Sequence, residues 1–112
     1  MEQFDHLRVA GLEPKVIAGL QLLTVDQVHR LLLTAEREGW IIWGLDGFEV
    51  VDGGVRPDMD QIADWSALKG LSGDQLGLRS VEETRRFLAT TARDDRLYEV
   101  AISEEVYSKP SP

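Results

Sequence analysis

Hydrophobic residues recur every three or four positions in several segments, and this spacing predicts helices. One helix is predicted to begin at Pro14 and another to cover residues 25–38, between an N-cap at Thr24 and a stop at Gly39. A further helix over residues 80–93 is predicted from the capping-box pattern that begins at Ser80. A short helix within residues 1–12 would use Phe4, Leu7 and Val9 as its apolar side.

Strand patterns occupy the middle and the end of the chain. Residues 40–51 are apolar on both faces, which predicts an inner strand, and Gly44 and Gly47 within it indicate a bulge, a bend or a close backbone approach. A turn at Asp52-Gly53-Gly54 predicts a short returning strand at Val55. Residues 97–102 alternate as a second strand. Between these strands we expect a helical turn near residues 59–64, followed by an ordered loop.

Together these elements predict one α+β domain over residues 1–112, with a peripheral tail over residues 103–112. The fold would be a small sheet of three or more strands packed against three to four helices, in a single pair of layers. The third strand would come from the Val55 segment or from the N-terminus. Parallel pairing of strands 40–51 and 97–102, through the long connection between them, is one option.

Acidic residues dominate the charged positions and concentrate in the middle of the chain. The protein has 20 Asp and Glu against 12 Lys and Arg, a net charge of −8. Such a chain repels nucleic acid and anionic membranes and attracts basic proteins. Between Trp40 and Trp65 stand six carboxylates and a single arginine. The predicted partner-binding residues are Asp46, Glu49, Asp52, Asp58, Asp60, Asp64 and Trp65.

The tryptophans differ in their predicted roles. Trp40 and Trp43 lie on the inner strand, where core packing is expected. Trp65 lies in an irregular segment that follows several acids, so it is either a plug that closes the core or an anchor in an interface.

Motifs for catalysis and cofactors are weak throughout. The chain has no cysteine, no apolar run long enough to span a bilayer and no signal-peptide pattern at its start, which favours the cytoplasm. Asp58-Met59-Asp60 lacks the glycine and glutamate of a calcium loop. His6 and His29 share no evident site, and His29 is predicted to be a core or boundary histidine. We therefore predict no enzyme, no metal and no cofactor.

Two other interpretations remain open. Asp46 and Glu49, or Asp52, could line a pocket at the glycine-marked bend and bind a small ligand or perform acid–base chemistry. A homodimer formed through the edge of the sheet is the other interpretation, with a structural role.

A family resemblance runs over residues 36–102. The strand segment Ile42-Trp43-Gly44-Leu45-Asp46, the proline at position 57 and the pair Asp64-Trp65 resemble the immunity proteins of bacterial polymorphic toxin systems, in particular the family called immunity protein forty. That family has two adjacent glycines in the strand, whereas here the second glycine comes later, at Gly47. The resemblance implies a non-enzymatic protein that neutralises a toxin in the cytoplasm of the cell that produces it.

Overall fold

The computed structural model describes residues 5–104, and these form an α+β fold with two antiparallel sheets. Phe4 and the predicted tail beyond Glu104 lie outside the described residues. The elements in chain order are α1 (His6–Val9), β1 (Lys15–Ile17), β2 (Leu20–Leu22), α2 (Val25–Glu38), β3 (Ile41–Val51), β4 (Gly54–Asp64), a 3-10 helix (Ser66–Gly70), α3 (Gly73–Thr90) and β5 (Leu97–Ser103).

The main sheet has three strands in the order β4-β3-β5. The prediction of β3 as an inner strand is confirmed, and so is the hairpin that joins it to β4. Both pairings are antiparallel, so the parallel option for β3 and β5 is wrong. Helices α2 and α3 pack together on one face of this sheet, around a core that includes Leu31, Leu45, Val81 and Tyr98.

The predicted helix at Pro14 is wrong, because residues 15–22 form a β-hairpin. Its two turn residues, Ala18 and Gly19, both have positive φ angles of 54° and 82°. Two successive positive φ angles suit the right-handed twist of a two-residue hairpin. Leu23 then exchanges backbone hydrogen bonds of 2.8 Å with Tyr98, which places the hairpin beside β5. This second sheet leaves the predicted single pair of layers unconfirmed.

Local signals define α2 as predicted. The Thr24 hydroxyl accepts a hydrogen bond from the Gln27 N–H, and the Gln27 side chain accepts one from the Thr24 N–H. The helix ends at Gly39, whose φ of 76° is readily adopted by glycine.

Helix α3 begins seven residues before the predicted start, so the prediction that Ser80 caps it is wrong. Ser80 is fully buried within the helix. Its hydroxyl donates to the Gly77 carbonyl at 2.8 Å and accepts from the Ile42 N–H at 2.9 Å. Gly77 allows this close approach, because a Cβ there would lie 3.1 Å from the Trp40 carbonyl oxygen.

Strand β4 replaces the helical turn predicted near residues 59–64, which is therefore wrong. The strand continues to Asp64, but four of its residues, 58–61, stand opposite Gly47 alone. This wide bulge is possible because Gly47 has no side chain: a Cβ there would lie 2.5 Å from the Gln61 Cβ and 2.9 Å from the Tyr98 ring. The register of β3 against β5 also shifts between Ile42 and Gly44, so the bulge predicted within β3 is confirmed.

Within residues 5–104, no helix combines the length and the hydrophobicity needed to cross a membrane.

Candidate functional site

The face of the main sheet opposite α2 and α3 is accessible to solvent, and we call it the open face. Asp46 on β3 stands between Ile62 on β4 and Glu99 on β5, and Gly44 stands between Asp64 and Ala101. Directly opposed residues of antiparallel strands project to the same side. Asp46, Asp64 and Ala101 are exposed, and Ile62 is 39% exposed. The open face therefore presents carboxylates around a small apolar area.

A groove of about 520 Å³ crosses the open face at Gly44. Trp43, Ile62 and the three carboxylates Asp46, Asp64 and Glu99 contribute to its lining. The register of β3 against β5 shifts between Ile42 and Gly44, so Trp43 is an extra residue on β3. A Cβ at position 44 would collide with the Ala63 carbonyl oxygen, and this close approach requires glycine. Gly44 itself is part of the lining of the groove.

Trp43 lies at the groove and not wholly in the core, where packing was expected. Its ring is half-buried, and its indole N–H donates to the Ser103 hydroxyl at 2.9 Å. Because the bulge turns Trp43 to the side of Ala101, the ring lines the open face. The hydrogen bond to Ser103 fixes the orientation of the ring.

Three carboxylates at the groove have no ion pair within residues 5–104. Asp46 and Glu99 are directly opposed on neighbouring strands, an arrangement that is unfavourable for like charges. Asp64 accepts a hydrogen bond of 2.9 Å from the Ser66 N–H, and this bond lowers the pKa of Asp64. Negative charge is therefore retained at this site without a neutralising arginine or lysine from the described part of the chain.

Two of the other predicted binding residues are already paired. Glu49 binds Arg56, its cross-strand neighbour, and the hydrogen bond and charge of that arginine lower the Glu49 pKa. Asp58 binds the Arg96 Nε at 2.8 Å, and the Arg96 hydrogen bond lowers the Asp58 pKa. Both side chains of the Asp58–Arg96 pair are more than four-fifths buried. These two carboxylates stabilise the sheet and the loop before β5.

Asp52 and Asp60 are exposed, but neither lines the groove. Asp52 lies in the turn between β3 and β4, and Asp60 lies in the wide bulge. Of the six acids predicted to act together, the structure brings Asp46 and Asp64 into one site and distributes the other four elsewhere.

Trp65 occupies the position of a plug. It packs against the hydrophobic core, and its indole N–H donates to the Thr84 hydroxyl at 3.0 Å. Thr84 is fully buried and donates in turn to the Ser80 carbonyl at 2.8 Å. Because its indole N–H is hydrogen-bonded inside the molecule, Trp65 is better explained as a plug of the core than as an interface anchor. The tryptophan that lines the surface groove is Trp43.

Glu99 is the carboxylate of the site that the sequence analysis missed. The alternation in residues 97–102 indicates that Glu99 and Tyr98 face opposite sides. The pattern does not give the register of β5 against β3, which alone places Glu99 beside Asp46.

The two histidines lie on different helices, His6 on α1 and His29 on α2. His6 lies against Trp40, with ring centroids 4.7 Å apart, and its Nε2 lies 2.8 Å from a Glu104 carboxylate oxygen. His29 is exposed on α2, contrary to the expected core or boundary position. Within residues 5–104, His, Asp and Glu form no group of three or more that could hold a metal ion.

Comparison of the chain with protein-family models, curated proteins and solved structures gave no match.

Proposed function

We propose that this protein is a non-enzymatic immunity protein that neutralises a basic toxin by binding it through the open face of the sheet. The observation that carries the proposal is the site itself: Asp46, Asp64 and Glu99 surround a solvent-accessible groove and lack ion pairs within residues 5–104. The resemblance over residues 36–102 supplies the toxin-neutralising role, and the site supplies the mode of binding.

Electrostatic steering would bring the partner to the surface. A protein with a net charge of −8 attracts a basic partner, and clustered carboxylates orient the encounter. Apolar contacts with Trp43 and Ile62 would then slow dissociation, because burial near the centre of an interface contributes most to affinity. Glu49 and Asp58 are less suited to this role, since each already binds an arginine.

The same proposal implies where the protein acts and what kind of partner it binds. The protein would act in the cytoplasm of the toxin-producing cell, without cofactor or metal, and its partner would be neither nucleic acid nor membrane. The most direct candidate for the partner is the product of the neighbouring gene.

Coexpression with that gene product tests the proposal. The wild-type protein should abolish the toxicity of the partner and form a complex with it that can be isolated. A triple variant, Asp46→Asn, Asp64→Asn and Glu99→Gln, should associate at least about tenfold more slowly at low salt. Asparagine at position 64 retains an oxygen that can accept the Ser66 N–H.

A matched control removes the same number of charges elsewhere. Asp26→Asn, Glu82→Gln and Asp94→Asn alter exposed carboxylates on α2, on α3 and in the turn before β5. If the two triple variants associate with the partner at equal rates, the open face is not the binding site. If the wild-type protein neither binds nor protects, the immunity function is wrong.

A small ligand is the second candidate, favoured by the groove volume of about 520 Å³, which is in the range of ligand pockets. Asp46 lines the groove but Glu49 does not, so the predicted pair of carboxylates is not assembled there.

A further inference from the structure

The groove combines an oriented indole with charge that the described residues leave unneutralised. The Trp43 indole N–H is held by Ser103 at 2.9 Å, so the ring does not have to be ordered when a partner binds. Asp46 on β3 lines the same groove as this ring, and Glu99 stands opposite Asp46 on β5. An aromatic ring together with two adjacent carboxylates suits a side chain that is both flat and cationic.

Arginines neutralise carboxylates elsewhere on the protein. Arg56 binds Glu49, Arg96 binds Asp58 and Arg85 binds Glu36. At the groove, Asp46 and Glu99 stand directly opposed with no such cation among residues 5–104, which is unfavourable for the isolated protein. A cation supplied from outside would relieve this repulsion at the place where the groove can receive it.

We propose that the groove binds an arginine side chain of the partner, with its guanidinium plane against Trp43 and its N–H groups directed to Asp46 and Glu99. The inference rests on the proposed function and names the chemistry of the contact. A guanidinium is planar, stacks on indole rings and offers five donors in a fixed arrangement. A lysine ammonium is compact and strongly hydrated, so it fits this combination less well. Ile62 would cover the aliphatic part of the arginine side chain from the β4 side.

Short peptides test this assignment without the toxin. The probe is a blocked Gly-Arg-Gly tripeptide, compared with the same peptide carrying citrulline, which keeps the shape and removes the charge, and with the lysine peptide. Binding is followed by NMR through the Trp43 indole N–H and the backbone amides of Gly44 and Ala101. We expect saturable shifts at millimolar arginine peptide, no saturable shifts with citrulline, and affinity for the lysine peptide at least about twofold lower.

Variants locate the contact. Asp46→Asn combined with Glu99→Gln should weaken binding of the arginine peptide at least about fivefold, and Trp43→Leu at least about twofold. The control Glu82→Gln with Asp94→Asn removes two exposed charges away from the groove and should leave the affinity within about twofold. The amides of Gly44 and Ala101 report binding in the Trp43→Leu variant.

Several results would overturn the inference. They are the absence of saturable shifts at millimolar arginine peptide, equal shifts with citrulline, equal affinity for lysine, and equal weakening in the control variant. Failure of the arginine contact can be told apart from failure of the proposed function. A protein that still neutralises the toxin, but whose groove ignores the peptide, keeps its immunity role and loses only this contact.

Discussion

Single hydroxyl groups on α3 connect the helix to the sheet through buried hydrogen bonds. The Ser80 hydroxyl accepts the Ile42 N–H of β3, and the Thr84 hydroxyl accepts the Trp65 indole N–H just after β4. Both hydroxyls also donate to carbonyls within the helix, so each both donates and accepts a hydrogen bond. Small polar residues on the inner side of a helix are unfavourable unless they are paired in this way. Here they fix the position of α3 relative to the bulged strands.

Replacement of Ser80 by alanine should lower the free energy of unfolding by about 1–3 kcal/mol, because the buried Ile42 N–H then lacks an acceptor. Urea unfolding followed by circular dichroism measures the change. Ser72→Ala is the matched control, since the Ser72 side chain makes no capping hydrogen bond to α3. Equal unfolding midpoints for the two variants would contradict the role assigned to Ser80.

Gly47 is required by the wide bulge in the neighbouring strand. Gly47→Ala should destabilise the protein by at least about 1–3 kcal/mol, since the new methyl group would overlap Gln61 and crowd the Tyr98 ring. Gly54→Ala, in the same hairpin, meets no atom within 4 Å and does not require a positive φ. It should change stability by no more than about 1 kcal/mol. Thermal unfolding that is equally lowered in both variants would contradict this explanation of the bulge.

At the scale of elements, the bulge of β4 is fastened to the segment between α3 and β5. Asp58 binds Arg96, the Gln61 side chain donates to the Thr91 carbonyl at 2.9 Å, and the Tyr98 hydroxyl donates to Gln61. The same tyrosine hydroxyl accepts the Arg93 N–H at 2.9 Å, and burial raises the Tyr98 pKa. These contacts hold an irregular strand in one conformation and thereby support the open face next to it.

Asp58→Asn should reveal this support as a dependence of stability on pH. Hydrogen bonding to Arg96 lowers the Asp58 pKa below its ordinary value of 3.8, so the folded protein binds this proton less readily than the unfolded chain. The stabilisation is present above about pH 4 and is lost as pH falls through the lowered pKa. We expect the variant to be less stable than the wild type at neutral pH, with the difference shrinking below about pH 4.

Urea unfolding at a series of pH values measures this effect. Asp60→Asn removes a nearby exposed carboxylate that has no ion pair within residues 5–104, and it should leave stability at neutral pH nearly unchanged. A difference between wild type and Asp58→Asn that stays constant from neutral to acidic pH would show that the Arg96 contact does not contribute in this way.

Local signals made some elements predictable from the sequence, and long-range contacts decided the others. Thr24, Gln27 and Gly39 define α2 through contacts within a few residues, so both of its ends were predicted. Ser80 has the same capping pattern, but its hydroxyl binds Ile42, 38 residues away, and the helix starts earlier. The hairpin at Ala18-Gly19 lacks the usual asparagine or aspartate, so the sequence does not predict its turn.

The site depended on register in the same way. Asp46 and Asp64 were predicted as binding residues from composition, whereas Glu99 joins them only through the pairing of β5 with β3. The positions of Trp43 at the groove and Trp65 against the core also depend on how the strands pair. Gly44 indicated a bulge, but the sequence alone did not indicate that the bulge would turn Trp43 towards the open face.

At the scale of the whole molecule, the edges of the main sheet are poorly suited to pairing with another copy. The outer strand β4 carries Pro57, the wide bulge and the charged side chains of Arg56, Asp58 and Asp60. Proline, bulges and charge are the features that protect edge strands from association. The other outer strand, β5, is met at Tyr98 by a backbone bridge from Leu23. A homodimer formed by joining two such sheets is therefore not expected.

The protein should accordingly be a monomer of 12.6 kDa in solution, as measured by sedimentation equilibrium or light scattering. Two causes would keep the protein monomeric: repulsion between molecules of net charge −8 and the shape of the β4 edge. High salt distinguishes them, because it screens the repulsion but leaves the shape of the edge unchanged. We expect the monomer to persist at about 1 M salt, where the screening length is only about 3 Å. A dimer that appears only at high salt would mean that charge, and not the geometry of β4, keeps the molecules apart. A dimer at low salt would contradict both causes and would favour the homodimer interpretation.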